Sequence, residues 1–393
     1  MNMSYAEAVT AWSAHLREGG TTTWASWRAE EPTALPSEEA TLPRGPVPDA
    51  AHLELVRRLN ERAGEPSPGL ADLVLATPSP GRGRVDVPLP WTGADRPAYG
   101  NPPIDPEQLP EDELVRLAVG VLSRILPDVP APTPTPELTR WPMPWRRRFR
   151  LHGSPGTVAA VRRALLAQGL VETDWRPTHV VLGRPLPVMV AEHWAAGTVR
   201  GGVFRWGTLW NRMQTRDALP ARLDVADVAH RLASSVDLRK EPVHLVLARD
   251  DAEVAEDVAA ILGTRRLDVH TGTDPARVDL VRRFNRHSQV ALGTGGIRNL
   301  AERLAGVLDE DRPPLVEESH VPPRLALPWA RQTARVAAER VRDEHAGAGY
   351  AVHGNPGTLT LIGSAWGGVP PRRTLDEALW ACQEAWRRRE ERG

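Results

Sequence analysis

The sequence predicts an α/β fold in which helices flank a central, mainly parallel sheet of about five strands. An N-terminal helical region and a C-terminal helix-hairpin-helix segment complete this prediction. The first supporting observation is that short apolar runs alternate with amphipathic helical patterns between residues 143 and 310, as in right-handed crossover units. The second is that turn-forming residues follow most of these runs.

The N-terminal region begins with an amphipathic helix. Ser4 and Glu7 form a capping box in front of a stripe that includes Val9 and Trp12. Two further helices are predicted, one after Asp49 and one over residues 111–125, with proline-rich and glycine-rich chain between them. The proline-rich stretches also place the boundaries, which are 1–127 for the helical region, 128–142 for a linker, 143–310 for the α/β domain, 311–328 for a second linker and 329–393 for the C-terminal segment.

Strands and helices then alternate in the α/β domain. The strands are predicted at 148–152, 178–182, 243–248, 267–270 and 289–292. Beyond the second linker we expect a helix over 329–345, a hairpin and a final helix. The hairpin pairs 350–354 with 358–363, and the final helix carries Cys382 on its buried stripe.

Composition excludes several classes of function. The 49 basic residues nearly balance the 50 acidic ones, so no global field would attract nucleic acid or an anionic membrane. Because Cys382 is the only cysteine, the chain has no internal disulfide or cysteine-based zinc cluster. With neither an export signal nor an apolar stretch long enough to span a bilayer, the expected location is the cytoplasm.

A hexapeptide occurs twice in nearly the same form. Residues 152–157 read His-Gly-Ser-Pro-Gly-Thr, and residues 353–358 read His-Gly-Asn-Pro-Gly-Thr. We interpret both copies as turn chemistry and not as a duplicated domain, and we identify no further internal repeat. The first copy precedes a helix and is the better candidate for binding a ligand, whereas the second is expected to close the hairpin.

Five junctions between a strand and a helix form the candidate site, because parallel sheets bind ligands beyond the carboxyl ends of their strands. Glycines there would let backbone NH groups approach a phosphate. The alternative is ordinary turn geometry, since the glycine motifs match neither a dinucleotide-binding fingerprint nor a P-loop. The candidate ligand-binding residues are His152, Gly153, Ser154, Gly156, Thr157, Arg184, Asp250, Asp251, Thr271, Thr273, Asp274, Gly293, Thr294, Gly295 and Gly296.

Three of these candidates, Asp250, Asp251 and Asp274, stand where helix N-caps belong, and capping is their default role. If the loops meet, the same carboxylates would be available to a ribose hydroxyl or a metal ion. No metal-ligand spacing is present, so no metal is assigned and the cofactor is left unknown. No nucleophile for covalent catalysis is visible, and whether the protein is an enzyme stays open.

Residues 145–150 combine Trp145, Phe149 and four arginines. Stacking and phosphate contacts are one interpretation, but a first strand with Trp145, Arg147 and Phe149 on one face and arginines on the other is favoured on this neutral chain. Two tryptophan pairs, Trp24 with Trp27 and Trp206 with Trp210, each mark one helical face as core or as a partner surface.

Three functional hypotheses follow, in this order. The chain binds a small anionic or phosphate-bearing ligand at the strand-end loops, as an enzyme or otherwise. Alternatively, it is a non-catalytic regulatory or scaffold protein that engages a protein partner. The third hypothesis is nucleic-acid binding through residues 145–150. The oligomeric state is not indicated by the sequence.

Overall fold

A computed structural model gives the structure of the chain. It describes residues 5–29, 49–64, 67–78, 89–90, 103–131, 147–271, 274–289, 292–308, 326–361 and 369–392.

Five parallel strands form one sheet, in the order β2-β1-β3-β4-β5. The strands are β1 (Arg148–Gly153), β2 (Val171–Glu172), β3 (Thr178–Gly183), β4 (Val243–Leu247) and β5 (Ala351–Gly354). The α/β prediction is therefore confirmed. The chain places β2 on one side of β1 and then adds β3, β4 and β5 on the other side, so the strand order changes direction between β1 and β3. Doubly wound folds bind ligands in the crevice at such a point.

Two predicted strands are wrong. Residues 267–270 have no regular secondary structure, although Leu267 and Val269 are buried. Of 289–292, residues 290–291 lie outside the described residues, while Gln289 and Leu292 are not in a strand and their NH groups bond to the Asn285 and Ser288 carbonyls. A short apolar run satisfies a strand and a buried loop equally well, which explains both errors.

The predicted hairpin is also wrong. Residues 351–354 form β5, which pairs with β4 in parallel. The following residues, Pro356–Thr360, form a 3-10 helix, with Asn355 accepting a hydrogen bond from the Gly357 NH. Asparagine followed by proline suits a helix start as well as a turn, because proline lacks the NH group that the first helical position leaves unbonded. Residues 362–363 of the expected second strand lie outside the described residues.

The described part of the chain is otherwise mainly helical. The helices are α1 (Tyr5–Arg17), α2 (Trp24–Ala29), α3 (Ala50–Ala63), α4 (Pro68–Leu75), α5 (Glu111–Ile125), α6 (Pro155–Ala167), α7 (Leu186–Val199), α8 (Trp206–Arg216), α9 (Val225–Ser235), α10 (Asp251–Leu262), α11 (Pro275–Ser288), α12 (Thr294–Leu308), α13 (Leu327–Ala348) and α14 (Pro371–Glu390), with short 3-10 helices at Pro106–Gln108 and Leu126–Asp128.

The chain divides into two units, and neither is continuous in sequence. The first comprises Met1–Pro132, Asp279–Glu310 and Pro370–Gly393, and the second comprises Thr133–Val278 and Asp311–Val369. The boundaries placed at the proline-rich linkers remain a prediction about independently folding segments.

The first unit has a helical core. Its buried residues come from α1, α3, α4, α5, α11, α12 and α14. Cys382 on α14 is fully buried there, as its place on the apolar stripe predicts, and burial raises the pKa of its thiol. Trp24 is buried in the same core, which supports the core interpretation of that tryptophan.

The second unit has a core on each face of the sheet, because alternate residues of a strand point to opposite faces. One face packs Val181 and Leu245 against α7, α9 and α13. The other packs Leu182 and Val246 against α6 and α10. Trp206 and Trp210 are buried on the first of these faces, so this pair is core. None of the helices that the structure describes is long and apolar enough to cross a membrane.

Candidate functional site

The carboxyl ends of β1, β3, β4 and β5 meet at one edge of the sheet, because all four strands run parallel. Both copies of the hexapeptide lie at this edge, one after β1 and one after β5. Of the five predicted junctions, the structure gives four to the second unit and the fifth, at residues 293–296, to the first.

The first hexapeptide binds a carboxylate of the chain itself. Glu192, on α7, accepts a hydrogen bond of 2.7 Å from the Thr157 NH and one of 2.8 Å from the Thr157 hydroxyl. Ser154 donates its hydroxyl to the same carboxylate. All three side chains are almost fully buried. The position where we expected a phosphate at the start of α6 is therefore filled by Glu192.

Gly156 provides the space for this contact. A Cβ atom at residue 156 would lie 2.8 Å from Glu192 Cγ and 2.9 Å from its Cδ, which is too close for any larger residue. Burial raises the pKa of the Glu192 carboxyl, against the opposing effects of the Ser154 and Thr157 hydrogen bonds and of the Arg184 charge. The contact with Glu192 therefore explains the glycine at residue 156 without an external ligand.

Gly153 ends β1 in a conformation that favours glycine, with φ at +124°. A Cβ there would lie 2.3 Å from the Leu182 carbonyl oxygen of β3. Gly354 repeats this arrangement at the end of β5, with φ at +83° and a Cβ position 2.1 Å from the Leu247 carbonyl oxygen. In both copies the glycine allows the chain to turn tightly over the neighbouring strand.

Three predicted residues from different loops do come together. Arg184, after β3, donates to Asp251 Oδ1 at 2.5 Å and to Thr271 Oγ1 at 3.1 Å. Asp251 in turn accepts hydrogen bonds from the Thr271 NH and hydroxyl, at 2.8 and 2.5 Å. Because Arg184 is only 7% exposed, this cluster neutralises a buried guanidinium and ties the loop after residue 266 to the sheet edge.

Two aspartates are helix caps, as their default role predicts. Asp250 accepts a hydrogen bond from the Glu253 NH at the start of α10. Asp274 accepts one from the Ala276 NH at the start of α11. Thr273, another candidate, lies outside the described residues.

The glycines at 293–296 lie at the start of α12, and Gly293 and Gly295 would each tolerate a Cβ atom with nothing within 4 Å. Thr294 is the first residue of that helix. These four candidates belong to the first unit, whereas the sheet belongs to the second.

A pocket of about 720 Å³ opens beside the second hexapeptide. It is lined by Leu247, Arg249, Glu253, Glu256, Asp257, Gly354, Asn355, Gly357, Thr358 and Leu361. Thr358 is 5% exposed. No described residue accepts a hydrogen bond from its hydroxyl.

Arg249 supplies the positive charge of this pocket. Its NH and its Nε each donate to Glu253 at 2.7 Å, and Nη2 donates to the same carboxylate. Among the described residues none bonds to Nη1, so part of the guanidinium fork is available on a side chain that is 66% exposed.

Asp257 and Glu256 supply carboxylates that no described residue pairs with. Burial raises the pKa of Asp257, and the charges of Glu256 and Glu253 add to this effect, while His353 opposes it. The pocket therefore presents one cation and three acidic side chains, a combination that suits a ligand with both an anionic group and hydrogen-bond donors.

Each hexapeptide histidine contacts a second histidine on the neighbouring strand. His152 Nε2 lies 3.1 Å from His179 Nδ1, and His353 Nε2 lies 3.0 Å from His244 Nδ1. Burial lowers the pKa of His152 to about 4, with the charges of His179 and Arg150 adding to the effect. The two contacts join β1 to β3 and β4 to β5.

The strand interpretation of the basic segment is supported where the structure describes it, since Phe149 is fully buried within β1. Trp145 and Arg146 lie outside the described residues. Among the residues that are described, no group of three or more His, Cys, Asp or Glu side chains is arranged to hold a metal ion.

Glu192, Asp257, Asn355 and Thr358 were missed by sequence reasoning. A signal existed, because residues 179–184 read His-Val-Val-Leu-Gly-Arg and residues 244–249 read His-Leu-Val-Leu-Ala-Arg. This second internal repeat marks β3 and β4 as counterparts. Comparison of the chain with known protein families, curated proteins and solved structures finds no match.

Proposed function

We propose that the protein binds a small anionic ligand in the pocket at the carboxyl ends of β4 and β5. The pocket carries this proposal, because its volume of about 720 Å³ falls within the range of roughly 300–1,000 Å³ that is usual for small-molecule sites. Its position at the carboxyl edge of a parallel sheet is the one that such folds use for ligands.

The arrangement of Arg249 favours an oxyanion. A guanidinium offers planar, paired donors that match phosphate or carboxylate, and Nη1 of Arg249 has no partner among the described residues. The first hexapeptide, which we expected to be the better site, is left out of this proposal because Glu192 fills it.

A thermal-shift screen with nucleoside phosphates, sugar phosphates and inorganic phosphate tests the proposal. A ligand present at about 100 times its dissociation constant stabilises the native state by about 2.7 kcal/mol and so raises the melting temperature. Arg249→Gln should abolish the shift, whereas Arg266→Gln, at an exposed arginine outside the pocket, should retain it. No shift with any of these compounds would refute the proposed function.

We also propose that the protein is located in the cytoplasm. Its single cysteine is buried and cannot form an internal disulfide, so no disulfide of this chain requires an oxidising compartment. Cell fractionation with an antibody against the protein tests this location, and recovery from an extracytoplasmic fraction would contradict it.

A further inference from the structure

The strand pairs β1–β3 and β4–β5 are counterparts of each other. In the first pair, Gly153 of β1 lies opposite Leu182 of β3, and in the second, Gly354 of β5 lies opposite Leu247 of β4. Each Leu stands three residues after the histidine of its repeat, at 179 or 244. The two histidine contacts, of 3.1 and 3.0 Å, therefore occur at equivalent positions.

The correspondence extends to the faces of the sheet. The first hexapeptide leads into α6, which packs on the face that carries Leu182 and Val246. The second leads into the 3-10 helix, whose Leu359 packs on the opposite face. The helices after β3 and β4 are exchanged in the same way, with α7 on one face and α10 on the other. Such an exchange is what an approximate two-fold axis along the strands produces.

The counterpart of Glu192 is Asp257. Glu192 stands eight residues after Arg184, and Asp257 stands eight residues after Arg249. Both carboxylates lie on the helix that follows their arginine, α7 or α10. The hexapeptide residues correspond as well, with Ser154 matching Asn355 and Thr157 matching Thr358.

The two halves differ in whether the carboxylate reaches the turn. In the first half, the Glu192 carboxylate touches the Gly156 position and bonds to Thr157. In the second, the three atoms nearest to a Cβ on Gly357 all belong to Asn355, whose side chain accepts from the Gly357 NH and whose carbonyl accepts from the Thr358 NH. The Thr358 hydroxyl is therefore the group of this turn that has no acceptor among the described residues. Aspartate is one methylene shorter than glutamate, and the Asp257 carboxylate is without a hydrogen-bond partner among the described residues.

The pocket is lined by this shorter side chain, Asp257, and by Gly357 and Thr358 of the turn. The Thr358 hydroxyl, on a side chain that is 5% exposed, is the counterpart of a Thr157 hydroxyl that donates to a carboxylate at 2.8 Å. The first half of the sheet thus shows, with the protein's own side chain, that a carboxylate can accept a hydrogen bond from a threonine hydroxyl at this position.

We infer that the pocket takes a ligand whose oxyanion replaces the missing carboxylate at Thr358 and Asn355, and whose hydroxyl groups donate to Asp257 and Glu256. This inference rests on the proposed function and narrows its ligand to phosphorylated sugars, either alone or within a nucleotide. Carboxylates are the groups that hold ribose hydroxyls in other sheet-edge sites. Arg249 completes the oxyanion contact from the β4 side.

Isothermal titration with ribose 5-phosphate, AMP, ribose and inorganic phosphate tests the inference. The wild-type chain should bind one phosphorylated sugar, and should bind ribose or inorganic phosphate at least tenfold more weakly. The comparison between ribose 5-phosphate and AMP separates a sugar-phosphate ligand from a nucleotide. If ribose or inorganic phosphate binds as tightly as both phosphorylated sugars, the inference is wrong.

Asp257→Glu is the decisive variant. It gives residue 257 the same side-chain length as Glu192, whose carboxylate reaches the first turn. Binding should fall at least tenfold, while the melting temperature without ligand should rise as the new carboxylate meets Thr358. Asp268→Glu adds the same methylene at an exposed position and should change neither quantity. Unchanged binding by Asp257→Glu, or a melting temperature that fails to rise, would overturn the inference.

The outcomes also separate this inference from the proposed function. If Arg249→Gln abolishes binding and Asp257→Glu leaves it unchanged, the proposed function stands and the inference drawn from Glu192 is wrong. If the wild-type chain binds none of the four compounds, the inference is wrong, and the thermal-shift screen then decides whether the proposed function stands.

Discussion

Glu192 is a carboxylate that the protein has enclosed, and its length matters more than its charge. The buried donors on Ser154 and Thr157 have no access to water, so they need an acceptor at the distance that a glutamate side chain provides. Burial raises the pKa of the Glu192 carboxyl, so this buried site favours the neutral form of the side chain over the charged form more than water does.

We therefore expect Glu192→Asp to destabilise the protein more than Glu192→Gln. Withdrawing the carboxylate leaves buried donors unsatisfied, at about 1–3 kcal/mol for a buried group, whereas glutamine keeps an oxygen at the required reach. Urea unfolding of the two variants measures the difference. Equal midpoints, or a lower midpoint for Glu192→Gln, would show that charge and not length determines this contact.

At the scale of elements, the start of α10 shows how adjacent residues with the same side chain acquire different roles. Asp250 caps the helix by accepting from the Glu253 NH. Asp251 points to Arg184 and Thr271 and bonds to both. The cap is local to its helix, but the second contact joins the ends of two strands and a distant loop.

Asp251→Ala should accordingly destabilise the protein more than Asp250→Ala. Loss of the cap costs about 0.5–2 kcal/mol. Loss of Asp251 removes charge-assisted hydrogen bonds worth about 1.5–3 kcal/mol and leaves the guanidinium of Arg184, 7% exposed, without its carboxylate. Chemical denaturation of the matched pair gives the comparison, and a larger loss in Asp250→Ala would contradict it.

For the whole molecule, the two histidine contacts predict a stability that depends on pH. Burial lowers the pKa of His152 to about 4, and burial is also the first cause of the lowered pKa of His179 and His244. Below pH 6.5 the unfolded chain therefore binds more protons at these residues than the folded chain does. Their contribution to stability is complete above pH 6.5 and is lost as the pH falls below it, for His152 down to a pH of about 4.

The double variant His152→Gln with His244→Gln should have a shallower decline in unfolding free energy between pH 7 and 5 than the wild-type chain. Denaturant titrations at several pH values across this window provide the measurement. Carboxylates dominate below pH 5, so the comparison stops there. A wild-type profile that is flat over the window, or a variant profile as steep as the wild type, would refute the prediction.

Part of the fold could be predicted from local patterns alone. The strands at 148–152, 178–182 and 243–248 were located correctly because each combines an apolar run with a turn signal and a following amphipathic helix. The errors at 267–270, 289–292 and 358–363 share one physical cause. A short apolar or turn-forming segment has no period of its own, so its partners in space decide its structure.

The sequence by itself determined the alternation of strands and helices, the helix caps at Asp250 and Asp274 and the presence of a turn at each hexapeptide, since all of these depend on residues close together in the chain. The parallel pairing of β5 with β4 joins distant segments, so only the tertiary structure decided it. Only the tertiary structure decided which hexapeptide is closed and which faces a pocket. At the first turn the Thr157 NH and hydroxyl bond to Glu192, which lies 35 residues away on α7. At the second, the Thr358 NH bonds to the Asn355 carbonyl and the Gly357 NH to the Asn355 side chain, so two nearly identical hexapeptides form different turns because different partners reach them.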